Sequence, residues 1–335
     1  MAEDLVVQRP EGLYCPPGDF YIDPWRPVAR AVITHAHSDH ARSGHAHYLS
    51  AAPSEGVLRV RLGGINLQTL QYGERIVHHG VTLSLHPAGH VLGSAQVRLE
   101  HGGQVWVASG DYKVAPDPTC APFEPVMCDV FITESTFGLP IYRWCDDDEL
   151  FAQVNGWWAR NVEHHRASVL TCYSFGKAQR VLAGVDPSIG PIVVHGAVEP
   201  LNRAYRDAGV ALPETQSALH IARSDIKRAL VVCPPSAAAS PWMRRFGADA
   251  QLAFASGWMQ VRGNRRRGGY DRGFVLSDHA DWPGLLKAIS ATGAQRVIVT
   301  HGSSQTMVRY LVEQGLQAGS FETEYGDDIV EADGA

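Results

Sequence analysis

Thr34-His35-Ala36-His37-Ser38-Asp39-His40 places three histidines and an aspartate within six residues. It follows directly on the apolar run Val28-Ala29-Arg30-Ala31-Val32-Ile33, which predicts a buried strand emptying into a polar loop. The side chains of such a loop gather at one end of a sheet. Imidazole and carboxylate are ligands for zinc, manganese and iron. Solvated surface histidines can fall at His-X-His spacing by chance, but an added aspartate and third histidine make chance a poor account. The loop predicts a metal site, and the rest of the chain must supply its remaining ligands.

The 335 residues suffice for about two domains. With 45% hydrophobic and 19% charged residues the composition is that of a globular protein with ample core. No apolar run approaches the roughly 18 residues a membrane span needs. The start, Met1-Ala2-Glu3-Asp4, lacks the basic-then-apolar layout of a signal peptide, so a cytoplasmic protein without membrane contact is expected. Cysteines at 15, 120, 128, 145, 172 and 233 form no Cys-X-X-Cys pair, which excludes a zinc ribbon and a thioredoxin-type motif. Cys172 and Cys233 lie in apolar runs and read as buried thiols.

The net charge of −6 is unevenly spread. Residues 140–272 hold 17 Lys and Arg against 12 Asp and Glu, whereas the rest holds 12 against 23. Arginine outnumbers lysine 25 to 4, which suits a phosphate binder and equally a GC-rich codon bias.

Further along, residues 57–110 read as a β-meander: Val57–Leu62, Gly64–Leu70, Arg75–Val77, Val81–Leu85, Ala95–Glu100 and Gln104–Ser109 are short apolar or alternating runs broken by glycine. Ala41–His47 predicts the start of a short helix. Asp23 reads as a turn residue or as a partner to a ligand histidine. His45 and His47 read as surface residues. Ala88-Gly89-His90 and Ser109-Gly110-Asp111 each put a polar residue after a strand, beside a glycine. Asp129–Thr133 is another strand, ending at Glu134-Ser135-Thr136. From about residue 140 helices and strands alternate, which predicts a parallel sheet. After about 272 the earlier style returns, with Gly273–Leu276 leading to Ser277-Asp278-His279 and Arg296–Val299 leading to Thr300-His301-Gly302.

In order and context these sites resemble the metallo-β-lactamase fold, and within it the β-CASP branch of nucleic-acid-processing enzymes. His35-Ala36-His37-Ser38-Asp39-His40 is similar to its HxHxDH motif. Ala88-Gly89-His90-Val91-Leu92-Gly93-Ser94 is similar to the motif that supplies a further histidine, and Asp111 to the bridging aspartate. Glu134-Ser135-Thr136, Asp278-His279 and Thr300-His301-Gly302 resemble the branch's motifs A, B and C. The resemblance is good over about 20–140 and 273–305 and weaker between, where Tyr173-Ser174-Phe175-Gly176-Lys177 and Ser256-Gly257-Trp258 resemble landmarks of the branch. The match is nearest to the bacterial DNA ligase-associated exonuclease group, whose members are encoded near an ATP-dependent DNA ligase and a helicase.

The resemblance implies an α/β fold, namely a metallo-β-lactamase αββα sandwich (1–139 and 273–335) with an inserted, shortened β-CASP-like α/β cap domain (140–272). It implies two divalent metal ions, zinc, manganese or both. His35, His37 and His90 would hold one, Asp39, His40 and His301 the other, and Asp111 would bridge. His279 would be the general acid, polarised by Glu134. Arg42, Tyr173, Ser174, Lys177, Trp258 and Arg262 are candidate substrate contacts, through phosphate or base stacking. Ser174 serves equally as a helix cap, and the loop Arg262–Gly269 equally as a solvated one. The implied function is a nuclease acting on DNA, an exonuclease with endonuclease action on single strands as a further activity, in DNA repair. An RNA-processing nuclease is the alternative. A small-molecule hydrolase shares the HxHxDH loop but does not account for Glu134, His279 and the basic insert together. A non-enzymatic binding subunit does not account for a ligand set without gaps.

Overall fold

A computed structural model of the chain describes residues 4–261 and 269–322. The described residues divide into two compact units. One takes the chain up to Tyr142 and again from His279 onward; the other runs from Arg143 to Asp278.

The first unit contains two sheets. In one, the strands Val7–Arg9, Gly12–Cys15, Phe20–Ile22, Arg30–Val32, His47–Ala51 and Leu67–Leu70 follow one another in chain order. The first three pair antiparallel and the rest parallel. In the other, Arg75–His78, Val81–Pro87, Ala95–His101 and Gln104–Ala108 form an antiparallel meander. Val130–Glu134, Arg296–Thr300 and Gln317–Ser320 then add in parallel.

Side-chain alternation explains how this second sheet is covered on both faces. Trp106, Ala108, Val130, Ile132 and Ile298 share one core with Phe20, Ile22 and Val32 of the first sheet. Their strand neighbours Val107, Phe131, Val297 and Val299 point the other way, onto Leu285 and Ile289 of the helix Trp282–Thr292 and Met307 and Leu311 of the helix Ser304–Glu313. The central strands Val130–Glu134 and Arg296–Thr300 accordingly carry three apolar residues in a row, as a sheet buried on both faces requires.

The second unit is a parallel sheet in the order Gln216–Ser217, Ile192–Val194, Leu230–Cys233, Ser168–Thr171, Gln251–Ala255, Arg272–Phe274. Both faces are again buried. Leu170, Val232 and Ala253 pack with Val154, Trp158 and Val181 of the helices Asp147–Glu163 and Lys177–Gly184. Val169, Val193 and Val231 pack with Phe246 on the opposite side.

Three local expectations need correction. Val57–Leu62 is not a strand but belongs to the helix Glu55–Leu62. Its alternating Leu58, Val60 and Leu62 imitate a strand, but Val57 and Leu58 are the two that are buried, a helical pairing of adjacent positions. Ala41–His47 starts no helix; after an irregular stretch the strand His47–Ala51 begins. The strand Arg272–Phe274 joins the second unit's sheet beside Gln251–Ala255, whereas its apolar run had suggested a return to the first fold. Cys15, Cys172 and Cys233 are buried. No helix among the described residues is long and apolar enough to cross a membrane.

Candidate metal centre

The centre is assembled at the ends of the strands Arg30–Val32, Val81–Pro87, Gln104–Ala108, Val130–Glu134 and Arg296–Thr300. Each strand is fixed by its apolar residues, so the polar residues that follow are carried to one place. The last two strands pair in register, Glu134 opposite Thr300, which sets Glu134 beside His301. Ser135 Oγ donates to the His301 carbonyl at 2.5 Å, and His301 adopts a positive φ of 53°.

Asp23 orders the ligand loop. It accepts from the Thr34 amide (2.8 Å), the Thr34 hydroxyl (2.5 Å) and His40 Nδ1 (2.7 Å). A carboxylate only accepts, so His40 carries a proton on Nδ1, and its neutral form presents Nε2 as a lone pair. Thr34 Oγ1, having given its proton to Asp23, accepts from His35 Nδ1 at 3.1 Å. His35 therefore also presents Nε2. One acid sets the tautomers of two histidines.

His35 Nε2 and His90 Nε2 each lie 3.0 Å from His37 Nδ1. Asp111 Oδ2 stands 3.5 Å from His35 Nε2, 3.8 Å from His90 Nε2 and 3.3 Å from His40 Nε2. Two sets of donor atoms converge to within 4.8 Å: His35, His37, His90 and Asp111, and Asp39, His40 and Asp111. In the first set His37 Nδ1 faces two ring nitrogens and can share at most one proton, leaving lone pairs opposed. In the second, the buried His40 Nε2 has no well-formed hydrogen bond. A divalent cation in either place resolves both defects, and nitrogen and carboxylate donors suit zinc and its neighbours. Asp111 belongs to both sets. It can reach them because Gly110 at φ 56° has no Cβ; one would stand 2.6 Å from Thr34 Cβ. His301 flanks the second set, its ring 5.3 Å from that of His40, but joins neither convergent group. A cavity of about 40 Å³ borders Asp39, His40 and His301, room for a water-sized occupant.

The charges are strongly coupled. Burial pushes the His40 pKa down, but the carboxylates of Asp111, Asp39 and Asp23 outweigh it and hold His40 protonated well above the usual histidine range. Burial likewise opposes the charge on Asp111, yet His40 and His279 hold it well below the usual carboxylate range. His35 lies well below the usual histidine value, chiefly through burial.

Glu134 and His279 form a second pair. Buried Glu134 accepts from the Tyr112 amide at 2.7 Å, the Thr136 hydroxyl at 2.6 Å and His279 Nδ1 at 2.9 Å. With Asp111 these two side chains also bring ligand atoms within 4.8 Å of one another. His279 thus stands against the centre with Nδ1 turned to Glu134.

The candidate substrate contacts fare differently. Arg42 sits on the ligand loop's continuation, and its carbonyl accepts from Tyr48. His45 is buried, not exposed, with Nδ1 accepting from the Val28 amide at 3.3 Å; His47 is exposed and bonded to Asn66. Tyr173, Ser174, Lys177 and Trp258 belong to the other unit. There Lys177 is only 2% exposed and its ammonium lies 3.1 Å from Asp278 and 4.4 Å from the Tyr173 ring centroid. It is not the open cation that its place before a helix suggested. Trp258 is half-buried, its amide capped by Ser256 Oγ. Arg262 lies outside the described residues. Arg61, which no motif marks, donates to the Ala36 carbonyl between two ligand histidines; only recognising its helix would have pointed to it.

No family model matches the chain. It is 32% identical over 318 residues to a "Probable DNA ligase" from Opitutus terrae, covering 93% of this chain and 30% of that protein. It is 27% identical over 124 residues to the cleavage and polyadenylation specificity factor subunit 3 of Dictyostelium discoideum, covering 36% of this chain and 16% of that one. An RNase J-like protein of Methanocaldococcus jannaschii is 28% identical over 124 residues, 35% of this chain and 28% of that one. The chain thus spans less than a third of each of these relatives. The crystal structure of a protein of unknown function from Enterococcus faecalis V583 has a similar fold, with a TM-score of 0.59 at 12% identity over 89% of this chain and 80% of that one. The motifs and relatives together define the class that the chain resembles, the β-CASP branch of the metallo-β-lactamase family. Its likeness to the ligase-named relative, which extends over 93% of the chain, supports a resemblance near the ligase-associated group.

Proposed function

We propose that the chain is a two-metal phosphodiesterase that hydrolyses DNA, built as an αββα sandwich with a shortened β-CASP cap, the unit Arg143–Asp278. The observation that carries this is the convergence of His35, His37, His90 and Asp111 beside the Glu134–His279 pair. Asp39 and His40 share Asp111 with the first set, and His301, whose ring flanks that of His40, would complete the second site. When bound, two divalent ions supply an activated water and neutralise charge on the phosphoryl oxygens; zinc and manganese both suit the donors.

His279 is placed for the proton transfer. Glu134 accepts from Nδ1–H and so stabilises the imidazolium, leaving Nε2–H to protonate the departing oxygen. The Tyr112 amide and Thr136 hydroxyl keep the Glu134 carboxylate turned toward His279. Arg42, Tyr173, Ser174, Trp258 and Arg262 remain proposed contacts to phosphate or base. Lys177 would act there only after leaving Asp278.

The ligase-named relative supports DNA as the substrate and a functional association with a DNA ligase; a helicase partner and a cytoplasmic role in DNA repair rest on the sequence resemblance alone. Two other relatives are named for RNA cleavage or polyadenylation, and this favours RNA as the second reading. End-labelled single- and double-stranded DNA and RNA of one sequence, incubated with Zn²⁺, Mn²⁺ or Mg²⁺, separate the two. Shortening of DNA from an end is expected; cleavage of RNA alone would overturn the DNA reading. His37→Ala and Asp111→Ala should abolish cleavage with the far-ultraviolet circular dichroism unchanged, and full activity in either would sink the two-metal scheme.

A further inference from the structure

The short segment Ala52–Leu62 touches both loops that carry His35, His37 and His90. It begins as a 3-10 turn, Ala52–Ser54, and continues as the helix Glu55–Leu62. At its start the buried Ser54 hydroxyl lies 2.7 Å from the Ala51 carbonyl and 2.8 Å from Ser50 Oγ, and Ser50 Oγ donates to the Ile33 carbonyl at 2.9 Å. Ile33 is the last apolar residue before the ligand loop. Ser54 also abuts Gly93, where a Cβ would stand 2.3 Å from the Ser54 amide nitrogen. Gly93 precedes Ser94, whose hydroxyl accepts from the His90 amide at 3.0 Å.

At the other end, helical geometry puts Val57, Leu58 and Arg61 on one face. Val57 and Leu58 are fully buried, so Arg61 is turned inward with them. Its guanidinium donates to the Ala36 carbonyl. Ala36 is itself completely buried, between His35 and His37. Among the described residues no other hydrogen bond reaches this carbonyl. A buried carbonyl needs a partner, and a charged donor makes a strong one.

We propose that Arg61 is a positioning residue for the metal site. By holding the Ala36 carbonyl it sets the angle between His35 and His37. Through Ser54 and Gly93 the same segment sets the distance from that pair to His90. This rests on the metal reading of the site. Arginine matters here because its fork reaches the carbonyl from the last turn of a helix while its stem stays packed; lysine reaches with a single ammonium, and methionine keeps only the stem.

The test uses the full chain as parent, R61M and R61K, each stripped with chelator. Zn²⁺ is titrated in competition with a chromophoric chelator. Co²⁺ is titrated while its visible absorption is followed, and thermal unfolding of the metal-free proteins is recorded. The parent is expected to take up two ions. In R61M the dissociation constant of the tighter ion is expected to rise about 10–100-fold, with a changed Co²⁺ spectrum and an unchanged metal-free melting temperature. R61K is expected to recover most of the loss. Parent-like affinity and spectrum in R61M overturn the proposal. So does a loss that merely tracks a lower metal-free melting temperature and is not rescued by R61K. A parent that takes up no metal overturns the underlying metal reading instead, so the two failures are distinct.

Discussion

Exchange of Asp23 for asparagine keeps the shape of the side chain and removes the charge that orders two histidines. The amide can offer His40 Nδ1 a donor, which moves the ring proton to Nε2 and points it at the metal position. Metal affinity is expected to fall about 10–100-fold, read by chelator competition; an unaltered affinity would mean that the tautomers are set elsewhere. His40 makes a related prediction. In the metal-free site the neighbouring carboxylates hold its pKa well above the usual value, so the ring is protonated at neutral pH. A ligand histidine must be neutral, so metal uptake at pH 7 should release a proton. The observed heat should then change with the ionisation enthalpy of the buffer, and a buffer-independent heat would contradict this. His279→Ala should slow cleavage by about 10²–10⁴-fold with metal content unchanged, because Nε2 serves the leaving group rather than an ion. At this scale much of the site was legible. Histidines and acids at strand ends are marked by spacing and by resemblance. Burial is not so marked: Lys177 reads as an open cation and is in fact held by Asp278, and His45 reads as exposed and is not.

Strand alternation decides which element tolerates change. Phe131 is fully buried against the helix Trp282–Thr292, while its neighbour Ile132 faces the other sheet. Phe131→Ala should cost about 3–5 kcal/mol, seen as a lower denaturant midpoint at unchanged slope; a loss below 1 kcal/mol on the same scale would mean that the helix repacks freely. The strands Val130–Glu134 and Arg296–Thr300 were readable because burial on both faces leaves each an unbroken run of three apolar residues. The helix Glu55–Leu62 was not. Its eight residues are too few to display a full helical repeat, and its valines favour strand. Tertiary contacts at Val57, Leu58 and Arg61 decide its state. The edge between the two folds was blurred for a similar reason, since Arg272–Phe274 carries no sign of which sheet it will join.

Over the whole chain, every side chain proposed to hold metal lies in the first unit, and the basic surplus lies in residues 140–272. Removing metal should therefore act unequally. A ligand bound only by the folded state stabilises by RT ln(1 + [L]/Kd), about 2.7 kcal/mol at 100 times Kd. Hydrogen exchange after chelation is expected to quicken at the ends of Arg30–Val32, Gln104–Ala108 and Arg296–Thr300 and to stay unchanged in Ser168–Thr171. Equal quickening in both units would argue against a metal confined to the first.

The register that sets Glu134 against Thr300 also imposes an order on synthesis. Ser135 and the carbonyl it meets at His301 are 166 positions apart. While the chain is being made, the strand Val130–Glu134 leaves the ribosome with one edge bare, and it stays so until every residue of the second unit has followed. Such long-range pairing is slow, and an unpaired edge invites the wrong neighbour. A nascent chain that stops short of Arg296 carries the first ligand set but has no partner strand to brace it. Until Arg296–Thr300 has emerged, the metal centre lacks both that strand and the His301 that follows it.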